Sequence, residues 1–284
     1  MKLPFQPDFR DKVAVVTGGS GVLGAVFVRA VGMCGAKVAV LVDRNLTGAQ
    51  LVADEINAGG GTAIAVTANV LEKESMEAAH KEVLEKLGPC DILINGAGGN
   101  NPRATTDDEF YSKEIDLDPA KKSFFDLEPD AFHFVFGLNL MGTLLPTQVF
   151  ARDMVERPGS VILNISSMNS FAPLTKIPAY SAAKAAVSNF TKWLAVYFAK
   201  SGVRVNAIAP GFFSTAQNAA LLFNPDGTPA ARTAKILGGT PMGRFGEPED
   251  LVGTLLWLLD NASSGFVTGV VVPVDGGFSA YGGV

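Results

Sequence analysis

The residues best suited to chemistry are Ser166, Ser167, Tyr180 and Lys184. Tyr180 and Lys184 stand four apart where an alanine-rich helical pattern begins, which puts them on one helix face about one turn from each other. An ammonium held there favours phenolate and lowers a phenol pKa that is otherwise about 10. Ser166 and Ser167 end the apolar, β-branched run from Val161 to Ile165, so a strand end delivers a hydroxyl beside the phenol. Such a set could move a proton on or off a carbinol oxygen. The Tyr-x-x-x-Lys spacing alone is common on exposed amphipathic helices, and its meaning depends on what lies beside it.

Positioning that set requires a scaffold, and the chain alternates strand and helix patterns throughout. Val13 to Val16 runs into Thr17-Gly-Gly-Ser-Gly-Val-Leu-Gly24, followed by a helical pattern from Ala25 to Cys34 and a second apolar strand, Val38 to Val42. Apolar runs this continuous suit a parallel sheet covered on both faces. Gly19-x-Gly21-x-x-Gly24 in that context is a dinucleotide-binding loop, whose glycines let backbone amides approach a pyrophosphate at a helix N-terminus. Asp43, nineteen residues after Gly24, is placed to accept from the adenosine ribose hydroxyls. Further strands are expected at 62–67, 90–95, 161–165, 203–208 and 266–274, and helices at 47–58, 73–87, 129–155, 180–199 and 247–259. Two stretches, 99–128 and 212–246, lack regular patterning and read as lids or binding loops. The whole of 1–284 reads as one domain.

Composition narrows the partners. A net charge of -5 argues against nucleic acid. The N-terminus has no signal-like run, and no window is expected to approach the ~20 apolar residues of a membrane span. A cytoplasmic protein is therefore expected. Cys34 and Cys90 lie in apolar surroundings and read as packing residues. His80 and His133 have no partner at metal-ligand spacing, so no metal site is expected.

Taken in order, Thr17-Gly18, Gly24, Asn95-Gly-Ala-Gly98, Asn139, Ser167, Tyr180 with Lys184, and Pro210-Gly211 make the chain resemble the short-chain dehydrogenase/reductase family over about residues 10–277. The serine precedes the tyrosine by thirteen positions, as in that family. The resemblance implies an α/β, Rossmann-type, doubly wound parallel sheet of about seven strands and an NAD(P) cofactor. It makes Tyr180 the general acid/base and has Lys184 depress its pKa while binding the nicotinamide ribose. Ser167 would bond the substrate oxygen and Asn139 would hold a relay water. Along the cofactor it places Gly18, Ser20, Gly21, Val22, Leu23 and Gly24 at the pyrophosphate loop. Asp43, Arg44, Asn69, Val70, Asn95, Gly96 and Ala97 fall on the adenosine side. Pro210, Gly211, Phe213 and Thr215 fall near the nicotinamide, with Thr215 at its carboxamide.

Three positions depart from the usual family pattern. Val22 replaces a glycine, Asn69 stands where an aspartate usually meets the adenine, and the acid after the second strand comes one residue late with Arg44 behind it. Asp43 would repel a 2′-phosphate and Arg44 attract one; NAD is favoured over NADP. The longer 99–128 segment and the motifs around Asn100, Arg103, Asn169 and Lys176 are similar to the D-mannonate oxidoreductase (fructuronate reductase) branch. That likeness implies a sugar-acid substrate, with Arg103 or Lys176 pairing its carboxylate and Asn100 and Asn169 meeting its hydroxyls. Alternatives are a gluconate 5-dehydrogenase, a 3-oxoacyl reductase, or a non-catalytic NAD(P)-sensing protein. The family also suggests a homotetramer or homodimer, consistent with small residues Ala182, Ala183, Ala185 and Ala186 that would allow close helix approach.

Overall fold

A computed structural model of the chain describes residues 5–214 and 231–283. Strand β1 (Val13–Thr17) has five buried residues in succession, as a strand covered on both faces requires. It is followed by α1 (Val22–Met33), β2 (Lys37–Val42), α2 (Leu46–Ala58), β3 (Thr62–Thr67), α3 (Lys73–Lys86) and β4 (Ile92–Asn95). After the insert, with its short α4 (Lys113–Asp116), come α5 (Pro129–Phe136), a π-helical segment (Gly137–Met141), α6 (Gly142–Met154) and β5 (Val161–Ile165). The chain continues through α7 (Pro178–Phe198), β6 (Arg204–Pro210), α8 (Ala231–Gly238), α9 (Val252–Leu259), α10 (Asn261–Ser264) and β7 (Val271–Val274).

The strands form one parallel sheet of order β3-β2-β1-β4-β5-β6-β7. Strand order reverses direction between β1 and β4, so the loops leaving their C-terminal ends part and leave a crevice, where open α/β sheets bind ligands. Register brings those ends level: Thr17 pairs with Asn95 and Asn95 with Asn164. One face is packed by Phe27, Val28 and Val31 of α1, Val52 of α2 and Leu255 of α9. Met76 and Val83 of α3, Phe150 and Met154 of α6 and Leu194 of α7 pack the other.

The opposite, N-terminal end of the sheet is held by Asp91, which is 1% exposed. Its carboxylate accepts from the Val13 amide at 3.0 Å, from Arg157 at 2.8 and 3.1 Å, and from Lys12 at 3.3 Å.

Several sequence-based boundaries move. Helix α1 starts three residues early, at Val22, so that Gly24 of the glycine motif lies in its first turn. The region from Glu247 begins as a 3-10 turn, Pro248–Leu251, closed by a Glu247–Asp250 capping box, and becomes α-helical only at Val252. The last strand is four residues rather than nine: Gly269 adopts φ +80°, which breaks extended pairing, and Phe266 is fully exposed. The expected absence of a membrane-length apolar segment is also corrected. The continuous helix Pro129–Met154 is long and apolar enough to cross a bilayer, but half of its apolar window is buried inside the fold, where it serves as a core helix.

Replacing Asp91 by Asn leaves the Arg157 and Lys12 cations without their countercharge. Stability should fall by about 2–4 kcal/mol in denaturant unfolding at neutral pH, and a change below about 0.5 kcal/mol would contradict the clasp.

Candidate active site

Two loops at the crevice are built by close backbone approach. Gly18 adopts φ +67° and packs so tightly on the β4 loop that a Cβ would lie 3.1 Å from Ala97 Cα. A Cβ on Gly24 would stand 2.2 Å from the Gly18 carbonyl, so only glycine lets α1 close onto the loop. Thr17 Oγ1 accepts from the Gly96 and Ala97 amides at 3.1 and 3.2 Å and stitches the two loops together. Val22 is the first residue of α1, and in this loop only Gly18 has positive φ; a glycine at position 22 is not needed. The α1 N-terminus begins at Gly21 with no side-chain cap, leaving its first amides for an anion beside Ser20, Val22 and Leu23.

On the adenosine side, Asp43 follows the end of β2 and its carboxylate lies 3.4 Å from the exposed Arg44 guanidinium. Asn69 is committed locally: its oxygen accepts from the Leu71 amide at 3.0 Å and its nitrogen donates to Glu72 at 2.9 Å. Val70 is buried against Gly142 of α6. The Asn95 side chain turns inward. It is 1% exposed, and its amide donates to Thr147 at 3.0 Å and to Asn164 at 2.8 Å, while Asn164 donates to Thr191 at 2.9 Å. The side chain therefore ties β4, β5, α6 and α7 together beneath the site rather than facing it.

The catalytic candidates converge at the end of β5. Ser166 donates to the Lys184 carbonyl at 3.2 Å and pairs with Ser188 at 2.6 Å, fastening β5 to α7. Ser167 turns the other way, caps the turn Met168–Ser170, and shares a hydrogen bond with Tyr180. Lys184 is buried, donates to the Ile165 carbonyl at 2.7 Å, and has its Nζ 5.7 Å from the Tyr180 ring centre. Burial lowers its pKa to about 8. Tyr180 is half-buried, and burial pushes its phenol above 10, with the Ser167 hydrogen bond acting the other way. The expected depression by Lys184 is not seen: desolvation of the phenolate sets the direction, and the opposing influence comes from Ser167.

Asn139 sits in the π-helical segment, a distortion common at functional sites. Its amide donates to Gly99 O at 2.8 Å and Val135 O at 2.7 Å, and its oxygen accepts from the Gly99 amide at 3.3 Å. The side chain thus positions the Gly98–Gly99 loop. Gly98, which the motif reading passed over as a catalytic determinant, completes the fit: a Cβ there would meet Asn139 Oδ1 at 2.7 Å and Lys184 Nζ at 3.1 Å.

The substrate candidates separate. Arg103 is bonded to Glu128 at 2.8 Å, and exposed Asn100 donates to Thr105 at 3.3 Å. Asn169 is buried with its oxygen unpaired. Lys176 has φ +73° and donates to the Asp107 carbonyl at 2.6 Å. Beyond β6, Pro210 ends the strand and Gly211 allows contact with Asp275, where a Cβ would approach to 2.6 Å. Phe213 packs on Gly246, while Thr215 lies outside the described residues.

The Lys184 ammonium should titrate near pH 8 in the cofactor-free protein, as read by NMR of labelled lysine side chains; titration near 10.5 would contradict its desolvated placement.

Comparison with known proteins agrees with this geometry. A model of the short chain dehydrogenases matches residues 12–224. A crystal structure from Haemophilus influenzae, described provisionally as a D-mannonate oxidoreductase with bound NAD, is 55% identical, covers 98% of both chains and superposes with a TM-score of 0.94. An oxidoreductase of Bacillus subtilis named UxuB is 52% identical over 99% of this chain and 100% of its own. A gluconate 5-dehydrogenase from Burkholderia cenocepacia, solved with NADP and tartrate, is 30% identical, covers 98% and 99% of the two chains and has a TM-score of 0.82. With the glycine cradle, the α1 N-terminus and the Ser167–Tyr180–Lys184 group in place, the chain belongs to the short-chain dehydrogenase/reductase family, NAD(P)-dependent oxidoreductases of CH–OH groups.

Proposed function

We propose that the chain interconverts D-mannonate and D-fructuronate with NAD. The observation that carries this reading is the folded insert, which is bonded to Lys176 in the segment leading into Tyr180, in a chain 55% identical to the NAD-bound structure. Of the two candidate cations, Arg103 already pairs with a carboxylate, whereas Lys176 is bonded to a neutral carbonyl. Its charge is therefore suited to an acid substrate. The unpaired oxygen of buried Asn169 would accept from a substrate hydroxyl.

NAD, when bound, supplies the hydride acceptor; the fitting cradle is Gly18, Gly24 and the uncapped start of α1, with Asp43 at the adenosine ribose. Tyr180, as phenolate, takes the proton of the reacting hydroxyl and becomes phenol, Ser167 orients that oxygen, and Lys184 favours the phenolate that precedes the transfer. Asn139 serves the relay through the Gly98–Gly99 loop that it positions. Asp43 disfavours a 2′-phosphate, and the Asp43–Arg44 contact reduces the attraction that Arg44 would otherwise offer one.

The protein is further proposed to act in the cytoplasm as a homotetramer or homodimer. On α7, Trp193 and Tyr197 stack at 4.8 Å while 56% and 65% exposed, beside a groove of about 650 Å³ shared with α6. Exposed aromatic surface of this kind fits a subunit contact.

A panel of sugar acids, including D-gluconate, and of 3-oxoacyl substrates with each cofactor tests the reading. D-mannonate with NAD should give the highest kcat/KM, with NAD preferred over NADP by about tenfold or more. Turnover restricted to gluconate or 3-oxoacyl substrates, or an NADP preference, would overturn it; light scattering should give a mass above that of one chain.

A further inference from the structure

The insert is a folded strap with its own charge pattern. Asp107 and Lys122 pair in both directions, the Asp107 amide to the Lys122 carbonyl at 3.0 Å and the Lys122 amide to the Asp107 carboxylate at 2.6 Å. At this base the Thr106 amide donates to the Lys176 carbonyl at 2.9 Å, and Lys176 Nζ returns a bond to Asp107 O. These two bonds hold Lys176 in the left-handed backbone region, which is unusual for a residue with a side chain and recurs at functional sites. Two residues further along the insert, Glu109 reaches across to α8. Its Oε1 lies 2.8 Å from Lys235 Nζ, a contact spanning 126 positions of sequence. The Lys235 hydrogen bond holds the Glu109 carboxyl below its ordinary value, and the charge of Lys176 acts in the same direction. One carboxylate is therefore bonded to one ammonium and feels the charge of a second on a separate element, the second held two residues away at Asp107 and four residues before Tyr180.

We propose that Glu109 is an internal stand-in for the substrate carboxylate: an incoming sugar acid displaces it and takes Lys235 and Lys176 as its partners. This rests on the sugar-acid reading above and adds two specificity-determining residues, Glu109 and Lys235. The exchange is energetically accessible because the Glu109–Lys235 pair is exposed, 31% and 70%, and exposed ion pairs contribute little net stability. One carboxylate replaces another, so the two lysines never face each other uncompensated. A neutral polyol would not displace Glu109, which makes the pair a filter for acids. A merely structural strap would behave differently, since cutting it from either side would loosen the site in the same sense.

The sign of two variants separates these roles. D-mannonate binding to the NADH complex, a pair that cannot react, is measured by calorimetry at low and high salt for the wild type, Glu109→Gln, Lys235→Met and Lys235→Arg. Exchange predicts about fivefold tighter binding for Glu109→Gln and about fivefold weaker, less salt-dependent binding for Lys235→Met. Lys235→Arg should stay near the wild type. Shifts of the same sign in Glu109→Gln and Lys235→Met, or no shift in either, would overturn the exchange while leaving the sugar-acid reading in place. Failure of D-mannonate to bind the wild type and every variant would overturn both.

Discussion

A buried ammonium at the end of a parallel strand is the constraint around which this molecule is arranged. Lys184 is 4% exposed, and its bonded partner is the last carbonyl of β5, at 2.7 Å. An unpaired charge in such a place would be prohibitive, and even the hydrogen-bonded one has its pKa lowered to about 8. The neighbourhood is built to tolerate it. Gly98 leaves the space that a methyl group would take, Asn139 pins the loop carrying Gly98, and Ser166 fastens the backbone of Lys184 to β5. Helix α7 has little freedom to slide, and Tyr180, one turn away, inherits that fixed position.

The same desolvation acts on both members of the pair in opposite directions. It favours the neutral amine and the neutral phenol, raising the Tyr180 pKa while lowering that of Lys184 to about 8. Spacing along a helix is thus not sufficient to acidify a tyrosine.

Much of this was legible in the chain because parallel sheets demand continuous apolar strands and dinucleotide loops demand glycine at set intervals. β1, the glycine loop and the order Ser167, Tyr180, Lys184 could be read directly. Other features carried no local signal. The inward turn of Asn95 depends on Thr147 and Asn164, contacts 52 and 69 residues away, and the exemption of Val22 depends on which single glycine takes positive φ. The insert looked patternless since its order comes from caps and ion pairs such as Ser123–Asp126 and Arg103–Glu128 rather than from periodic apolar residues. The commitment of Arg103 to Glu128, against the neutral partner of Lys176, is likewise a tertiary fact. Thr17, which stitches the two cofactor loops, sat in plain view beside Gly18 but offered no motif of its own.

The proposed function depends on a single proton path through one phenol, Tyr180. Steady-state turnover of D-mannonate by Tyr180→Phe, together with its NAD affinity, tests that path most directly. The account predicts that kcat drops by about 10²–10⁴-fold while NAD still binds, because the ring keeps its packing and only the transferable proton is gone. Turnover at the wild-type rate would contradict it.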